Sequence, residues 1–365
     1  MKKVAICGGH LTPALALIEK LEAKGQIEII YFGRRYSAEG TKNLSAEYKV
    51  ISGKDIKFIS MTAGRLQRKF TRYSIWALAK IPIGFIQSFY FLIKTRPVVV
   101  VSFGGYVSQP VVLTAWLLGI KCITHEQSAV PGLANRINSI FCDRVLLSWP
   151  QSQGKFKSKK TMVIGNPVRS DVYKTEAVSK KIKDFISQSQ NLIFVTGGNQ
   201  GSHFINRLIF SALPALSNYH VLHQVGTVNH KGDLNKAGEL SSENYLPVDY
   251  LTSADFGAAI NKALIVISRS GANTIWELAT LAKPAILIPL PTSASGEQLE
   301  NARILEEAQS AVIINQEATE PGTLIDKIKL IKKDYENFKS RALSFSKKMP
   351  QDAAQKLADI TLSYT

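Results

Sequence analysis

A short apolar run, a pair of glycines and an amphipathic helical stretch follow one another twice along this chain. VAICGGHLTPALALIEKLEAKG stands near the start, and NLIFVTGGNQGSHFINRLIFSAL repeats the design at 191–213. A strand that delivers the backbone into a glycine turn and then into a helix is half of a βαβ unit, and such units build parallel sheets covered by helices. In the first copy Leu15, Leu17, Ile18 and Leu21 supply the apolar face and Gly25 closes the helix. The expected fold class is therefore α/β. Two doubly wound Rossmann-like domains are expected, each with a glycine loop at a strand's C-terminal end, facing a central cleft.

The length of 365 residues suits two such domains. VIGNPVRSDVY at 163–173 carries turn chemistry at Gly165-Asn166-Pro167 and is the predicted linker. The domains then span 1–162 and 174–349, and a glycine-free helical stretch at about 350–365 is able to pack back on the first. A chain that is 45% hydrophobic and 20% charged buries sizeable cores, which excludes disorder. Three cysteines, Cys7, Cys122 and Cys142, form no C-x-x-C pair, so a disulfide framework or thiolate zinc site is not expected and a reducing, cytoplasmic setting fits.

Charge is unevenly spread. The net +17 divides into 20 basic and 8 acidic residues over 1–150, and 25 and 20 over 151–365. No Asp or Glu lies between Asp55 and Glu126, a span that holds nine Lys and Arg residues. Within it, Arg65, Arg68, Lys69 and Arg72 stand beside Trp76, Phe85 and Phe89, the composition of an element that docks on an anionic membrane surface. Nucleic acid is the competing polyanion, but no recognisable nucleic-acid module is present, so lipid is the expected partner. MKKVAICGGH lacks the apolar core of a signal peptide and reads as a first strand. A membrane span at 75–93 is not expected, because Pro82 and Gly84 interrupt a stretch that is already short.

Four loops carry candidate chemistry. Gly8-Gly9-His10 opens a helix, whose N-terminal amides favour phosphate, and His10 is read either as a general base or as a helix cap. SFGGYVSQP, with Tyr106, and HEQSAVPGLANR, with His125, Glu126, Ser128 and Asn135, emerge at the same sheet edge. His125 and Glu126 are read either as a base and its partner or as a buried pair that holds the loop. Gly197 to Ser202 is a second candidate pyrophosphate cradle, and SRSGANTIWEL places Glu277 to accept from ribose hydroxyls or to complement a helix dipole. Gln298 is placed to read sugar hydroxyls.

CGGH with Pro13-Ala14-Leu15, SFGGYVSQP, HEQSAVPGLANR, GNPVR, GGNQG, SRSGANTIWEL and EQLENA occur in this order over most of the chain. Together they resemble the MurG family, the UDP-N-acetylglucosamine:N-acetylmuramyl-(pentapeptide) pyrophosphoryl-undecaprenol N-acetylglucosamine transferases that make lipid II from lipid I. The resemblance implies a GT-B glycosyltransferase with UDP-GlcNAc on the C-terminal domain, lipid I on the N-terminal one, and no metal or other cofactor. It implies inverting transfer by a peripheral enzyme on the cytoplasmic face of the plasma membrane, with other cell-wall enzymes as further partners.

Donor contacts carried over from the family fall on Arg169, Asn199, Leu251, Ala272, Asn273, Thr274, Ile275, Trp276, Glu277 and Gln298, with Arg269 and Asn301 beside them. The acceptor and catalytic side falls on Cys7, Gly8, Gly9, His10, Tyr106, His125, Glu126, Ser128 and Asn135. Ile6-Cys7 stands where the family has Gly-Thr, Ser128 where it has Asn, Asn199 where it usually has Ser, Gln109 where it has Gly, and Gly296-Glu297 before Gln298 where Asp-His or Arg-Gln is common. These departures leave room for another GT-B enzyme, such as a diacylglycerol glycosyltransferase or a UDP-GlcNAc 2-epimerase, or for a non-catalytic UDP-sugar or lipid-binding protein.

Overall fold

The computed structural model describes residues 1–36, 43–62, 64, 72–156 and 160–365, the side chains of 72–80, 294 and 318 excepted. Two compact units divide the chain: Met1–Val168 with Asp352–Thr365, and Arg169–Gln351. The boundary falls inside 163–173 but six residues beyond the expected end of the first domain. The amides of Ile164 and Gly165 both donate to the carbonyl of Leu147, which keeps the start of that segment on the first unit.

The first unit contains β1 (Lys2–Cys7), α1 (Leu11–Lys24), β2 (Ile27–Gly33), α2 (Ala46–Ile51), β3 (Lys57–Ser60), α3 (Arg72–Thr95), β4 (Val99–Ser102), α4 (Ser108–Leu117), β5 (Lys121–Glu126), α5 (Leu133–Phe141), β6 (Arg144–Leu147) and β7 (Thr161–Val163). Among the described residues these strands form one parallel sheet in the order β3-β2-β1-β4-β5-β6-β7. β4 reads VVVS and is buried throughout, as a central parallel strand covered on both faces must be. The order reverses between β1 and β4, where ligands bind in doubly wound sheets. The CGGH and FGGY loops leave those two strands. α3 runs unbroken through Pro82, against expectation. The proline forfeits one backbone bond, but a helix of 24 residues has many turns on either side to carry it through.

The second unit contains α6 (Lys180–Gln188), β8 (Leu192–Thr196), α7 (His203–Ala212), β9 (His220–Gln224), α8 (Asp233–Glu239), β10 (Tyr245–Val248), α9 (Ser253–Lys262), β11 (Ile265–Ser268), α10 (Ala272–Thr280), β12 (Ala285–Leu287), α11 (Glu297–Glu307), β13 (Ala311–Ile313), α12 (Pro321–Lys333) and α13 (Tyr335–Ser346). Its parallel sheet has the order β10-β9-β8-β11-β12-β13. The reversal lies between β8 and β11, the strands that deliver GGNQG and RSGAN. α14 (Ala353–Leu362) returns to the first unit, where it packs on α1 and sends Leu357 and Ala358 into the core.

Candidate active site

In the first unit the two glycine loops at the switch point are held against each other. The amide of Gly9 donates to the carbonyl of Gly104 at 3.0 Å, and the amide of Phe103 to that of Cys7 at 2.8 Å. Gly8 has φ +132°, and a Cβ there would stand 2.7 Å from the Gly104 oxygen, so only glycine fits. Gly104, at φ +72°, passes as closely over the amide group of Asn135. His10 is the N-cap residue of α1 and makes no side-chain cap bond. Its side chain is exposed, yet the protein around it desolvates the imidazolium and lowers its pKa. Tyr106 accepts from Arg34 Nη1 at 3.3 Å.

The HEQ segment departs from a catalytic reading. His125 is fully buried, with Nε2 2.9 Å from the carbonyl of Gly165 and Nδ1 3.2 Å from Gln127 Nε2. Burial pushes its pKa down to about 4, opposed by the Gly165 bond, so the ring is neutral: Nε2–H donates to Gly165 and Nδ1 accepts. Glu126 is equally committed. Oε1 accepts from the Ser128 amide at 2.9 Å, and Oε2 accepts from the Gly132 amide at 3.0 Å and from Asn135 Nδ2 at 2.9 Å. Both side chains brace the loop, and both are buried, His125 at 0% and Glu126 at 3% exposure. Asn135 is buried in the same network, donating also to the carbonyl of His125 and accepting from Thr124. Ser128 is 5% exposed. Cys7, expected beside the substrate, is fully buried on β1, its thiol pushed far up by burial, so only its backbone is available.

In the second unit a cavity of about 780 Å³ with a mixed polar and apolar lining opens over the switch point. Gly198, Ser202, Arg269, Thr274 and Gln298 line it. Ser202 caps α7 by accepting from the Ile205 amide, and its hydroxyl also accepts from Arg269 Nη2 at 2.7 Å. Arg269 Nη1 donates to the carbonyls of Ile288 and Pro289. The guanidinium thus ties the α7 cap to the end of β12, and burial lowers its pKa to about 10, which leaves it charged at neutral pH. Gln298 Oε1 accepts from the Leu290 amide, and Asn301, 1% exposed, donates to the carbonyl of Ser270. Asn199 is exposed on the crest of its loop, where its carbonyl accepts from Thr227.

α10 starts at Ala272 with Gly271 as its N-cap and no side-chain cap bond. Such a terminus leaves amide donors for an anion. Asn273 is half-buried and Thr274 faces the cavity. Ile275 and Trp276 are instead fully buried, because the helix turns these apolar side chains to the core. Leu251 is 4% exposed and offers little surface to a base. Glu277 is also buried; burial raises its pKa to about 7, and Arg169 opposes that rise. Its folded pKa lies above the unfolded value, so the acid binds a proton more tightly in the folded state and stability falls as pH rises between about 4.5 and 7. Glu277→Gln removes that dependence. Its Tm relative to wild type is expected to climb between pH 5 and pH 8, by up to roughly 2–3 kcal/mol of stability, in thermal denaturation followed across pH.

His203 was not read from the sequence, although it directly follows GGNQGS. It lines the cavity, and its Nδ1 lies 2.9 and 3.1 Å from the Asp233 oxygens. Asn206 donates to the same carboxylate at 2.8 Å. The partner Asp233 lies 30 residues away, a pairing that spacing cannot reveal.

On α3 the backbone of Arg72 and Trp76 is described but their side chains are not, and Arg65, Arg68 and Lys69 lie outside the described residues. Phe85 is half-buried and Phe89 is 48% exposed, together with Ile86 at 70% and Leu117 on α4 at 64%. Among the described residues, no group of three or more His, Cys, Asp or Glu side chains is placed to hold a metal ion, and no helix is long and apolar enough to cross a membrane.

Two doubly wound parallel units, each with glycine loops and helix N-termini at its switch point, define the GT-B class of glycosyltransferases. The chain belongs to glycosyltransferase family 28: residues 7–147 match its N-terminal domain and 192–357 its C-terminal domain. Relatives named UDP-N-acetylglucosamine--N-acetylmuramyl-(pentapeptide) pyrophosphoryl-undecaprenol N-acetylglucosamine transferase include one from Treponema denticola, 36% identical over 87% of this chain and 84% of the relative. Another, from Clostridium kluyveri, is 32% identical over the whole of both. The crystal structure of Acinetobacter baumannii MurG superposes with a TM-score of 0.72 at 21% identity, covering both chains fully, which bears on the fold.

Proposed function

We propose that this glycosyltransferase moves GlcNAc from UDP-GlcNAc to the C4 hydroxyl of the MurNAc of lipid I, forming lipid II. The observation that carries the reading is 32% identity over the full length to a relative named for this reaction, in a chain whose glycine loops stand at both switch points. The acceptor oxygen attacks the anomeric carbon as the bond from that carbon to the diphosphate oxygen breaks, which inverts the configuration and releases UDP. The hydroxyl proton passes to His10, the exposed imidazole at the first loop, whose lowered pKa keeps it neutral and able to accept. The departing diphosphate carries charge that the amides at the starts of α7 and α10 stabilise, with Arg269 holding the first of these in place. Glu277, Gln298 and Thr274 bind the donor's ribose and sugar, with Arg169 and Asn199 as further contacts. His125, Glu126 and Asn135 act by holding their loop.

Purified protein given UDP-GlcNAc and lipid I in detergent is expected to release UDP and form lipid II. Donor binding with no transfer would overturn the reading. The exposed apolar side chains of α3 and α4 support peripheral attachment to a bilayer surface, and the span without Asp or Glu between Asp55 and Glu126 suits an anionic one. Replacing Ile86 and Phe89 together by serine is expected to weaken binding to phosphatidylglycerol vesicles at least tenfold, since each buried side chain contributes about 1.5–3 kcal/mol, with UDP-GlcNAc affinity unchanged in a sedimentation and titration pair.

A further inference from the structure

We infer that the polyprenyl chain of the acceptor enters the first unit itself, its first isoprene units lying in an apolar track between α3, α4 and α5 that ends at Tyr106 and Arg34. The inference rests on the lipid-linked acceptor proposed above.

Two cavities carry it. A groove of about 700 Å³ runs between α3 and α4, with Phe89, Ile93 and Leu117 in its wall and Lys94 also lining it. A second cavity of about 170 Å³ lies among α3, α4 and α5, bounded by Leu113 and Phe141, and reaches Tyr106. Phe85 lines both, so a single side chain stands between the groove on the exposed apolar face and the cavity that reaches the FGGY loop, and a chain passing from one to the other passes it. At its inner end the chemistry changes sign. Arg34 donates to the Tyr106 hydroxyl at 3.3 Å, with its guanidinium 5.5 Å from the ring centre and its Nε paired with buried Glu47 at 3.1 Å, and Gly104 and Gly105 follow next to the Gly8-Gly9 turn.

The sequence of environments is apolar groove, apolar cavity, cation, glycine loop, and then His10. A prenyl diphosphate sugar presents the same sequence of groups: alkenyl chain, diphosphate, sugar. A flat bilayer surface cannot enter a cavity of about 170 Å³ set among three helices, whereas a linear chain can. Phe85, which lines both cavities, is thereby assigned to the acceptor chain, and Ile86, which lines only the outer groove and is 70% exposed, to its mouth at the bilayer.

The test compares two water-soluble acceptors in solution without membrane or detergent, a farnesyl and a butyl diphosphate-linked MurNAc-pentapeptide. Wild type is expected to show a KM about tenfold or more lower for the farnesyl compound, as burial of a few methylene-sized groups provides. Phe85→Trp narrows the path and is expected to abolish most of that difference by raising the KM for the farnesyl compound far more than that for the butyl one, with the KM for UDP-GlcNAc within about twofold of wild type. Arg34→Lys keeps a cation beside Glu47, and is expected to raise KM for both acceptors alike because it acts on the diphosphate. Equal wild-type KM values for the two acceptors, or a Phe85→Trp effect of equal size on both, would overturn the inference. Absence of transfer to either acceptor by wild type would instead overturn the proposed function.

Discussion

His10→Ala is expected to lower kcat by roughly 10²–10⁴-fold, the usual contribution of a positioned general base, while the KM for UDP-GlcNAc stays within about twofold of wild type. The first unit leaves few other candidates. The imidazole of His125 has both nitrogens bonded inside the protein, and both oxygens of Glu126 accept from the loop they brace. His10 alone of the three is exposed. The pH profile supplies a second readout. Desolvation depresses the pKa of His10, so the neutral, proton-accepting form persists below the ordinary imidazole value of 6.5. The acid limb of kcat/KM is therefore expected below pH 6.5 in wild type and absent from the residual activity of the variant. A variant that retained that limb would place the base elsewhere. Glu126→Gln should behave differently again: it weakens three hydrogen bonds in the loop, and is expected to lower stability together with activity.

Gly201→Ala is expected to unfold the second glycine loop and abolish UDP binding. Gly201 has φ +83°, and a Cβ there would stand 2.0 Å from the carbonyl oxygen of Val225, a backbone atom with no room to retreat. Gly232 provides the control, with φ +81° and nothing within 4 Å of the point a Cβ would occupy. Gly232→Ala carries only the cost of its backbone conformation, about 1–2 kcal/mol. Gly201→Ala adds the clash, and its Tm is expected to fall well below that of the control, with loss of UDP binding in calorimetry. Equal melting of the two variants would show that the close approach of Gly201 to Val225 is not needed for the loop.

The same two sites illustrate what reading the residues in order achieved. Strand, glycine pair and helix follow one another within about 22 residues, so local hydrophobic period and turn chemistry suffice to reveal each βα unit and to place its loop at a strand end. GGNQG was legible as a glycine loop opening a helix because the glycines and the helix start are contiguous. The constraint on Gly201 was not, since Val225 comes 24 residues later and meets it only after β9 pairs with β8. His203 escaped for the same reason, its orientation being set by Asp233 on α8. The opposite error occurred at Ile275 and Trp276. They stand between Thr274, which faces the cavity, and Glu277, and contiguity in sequence made candidates of two apolar side chains that the helix packs into the core.

Local pattern thus determined the α/β class, the two-unit division with a boundary near the Gly-Asn-Pro turn, and the set of loops at the functional edge, because each of these depends on residues close together in the chain. Tertiary structure alone decided what each polar side chain is available to do. His10, His125 and Glu126 are all ionisable residues on loops at the same sheet edge. Their difference lies in hydrogen-bond partners contributed by Gly165, Gln127, Gly132 and Asn135 and in how much water reaches them. Burial and satisfied bonding turn a potential base into a brace, and both are properties of packing between distant segments that no spacing of residues encodes.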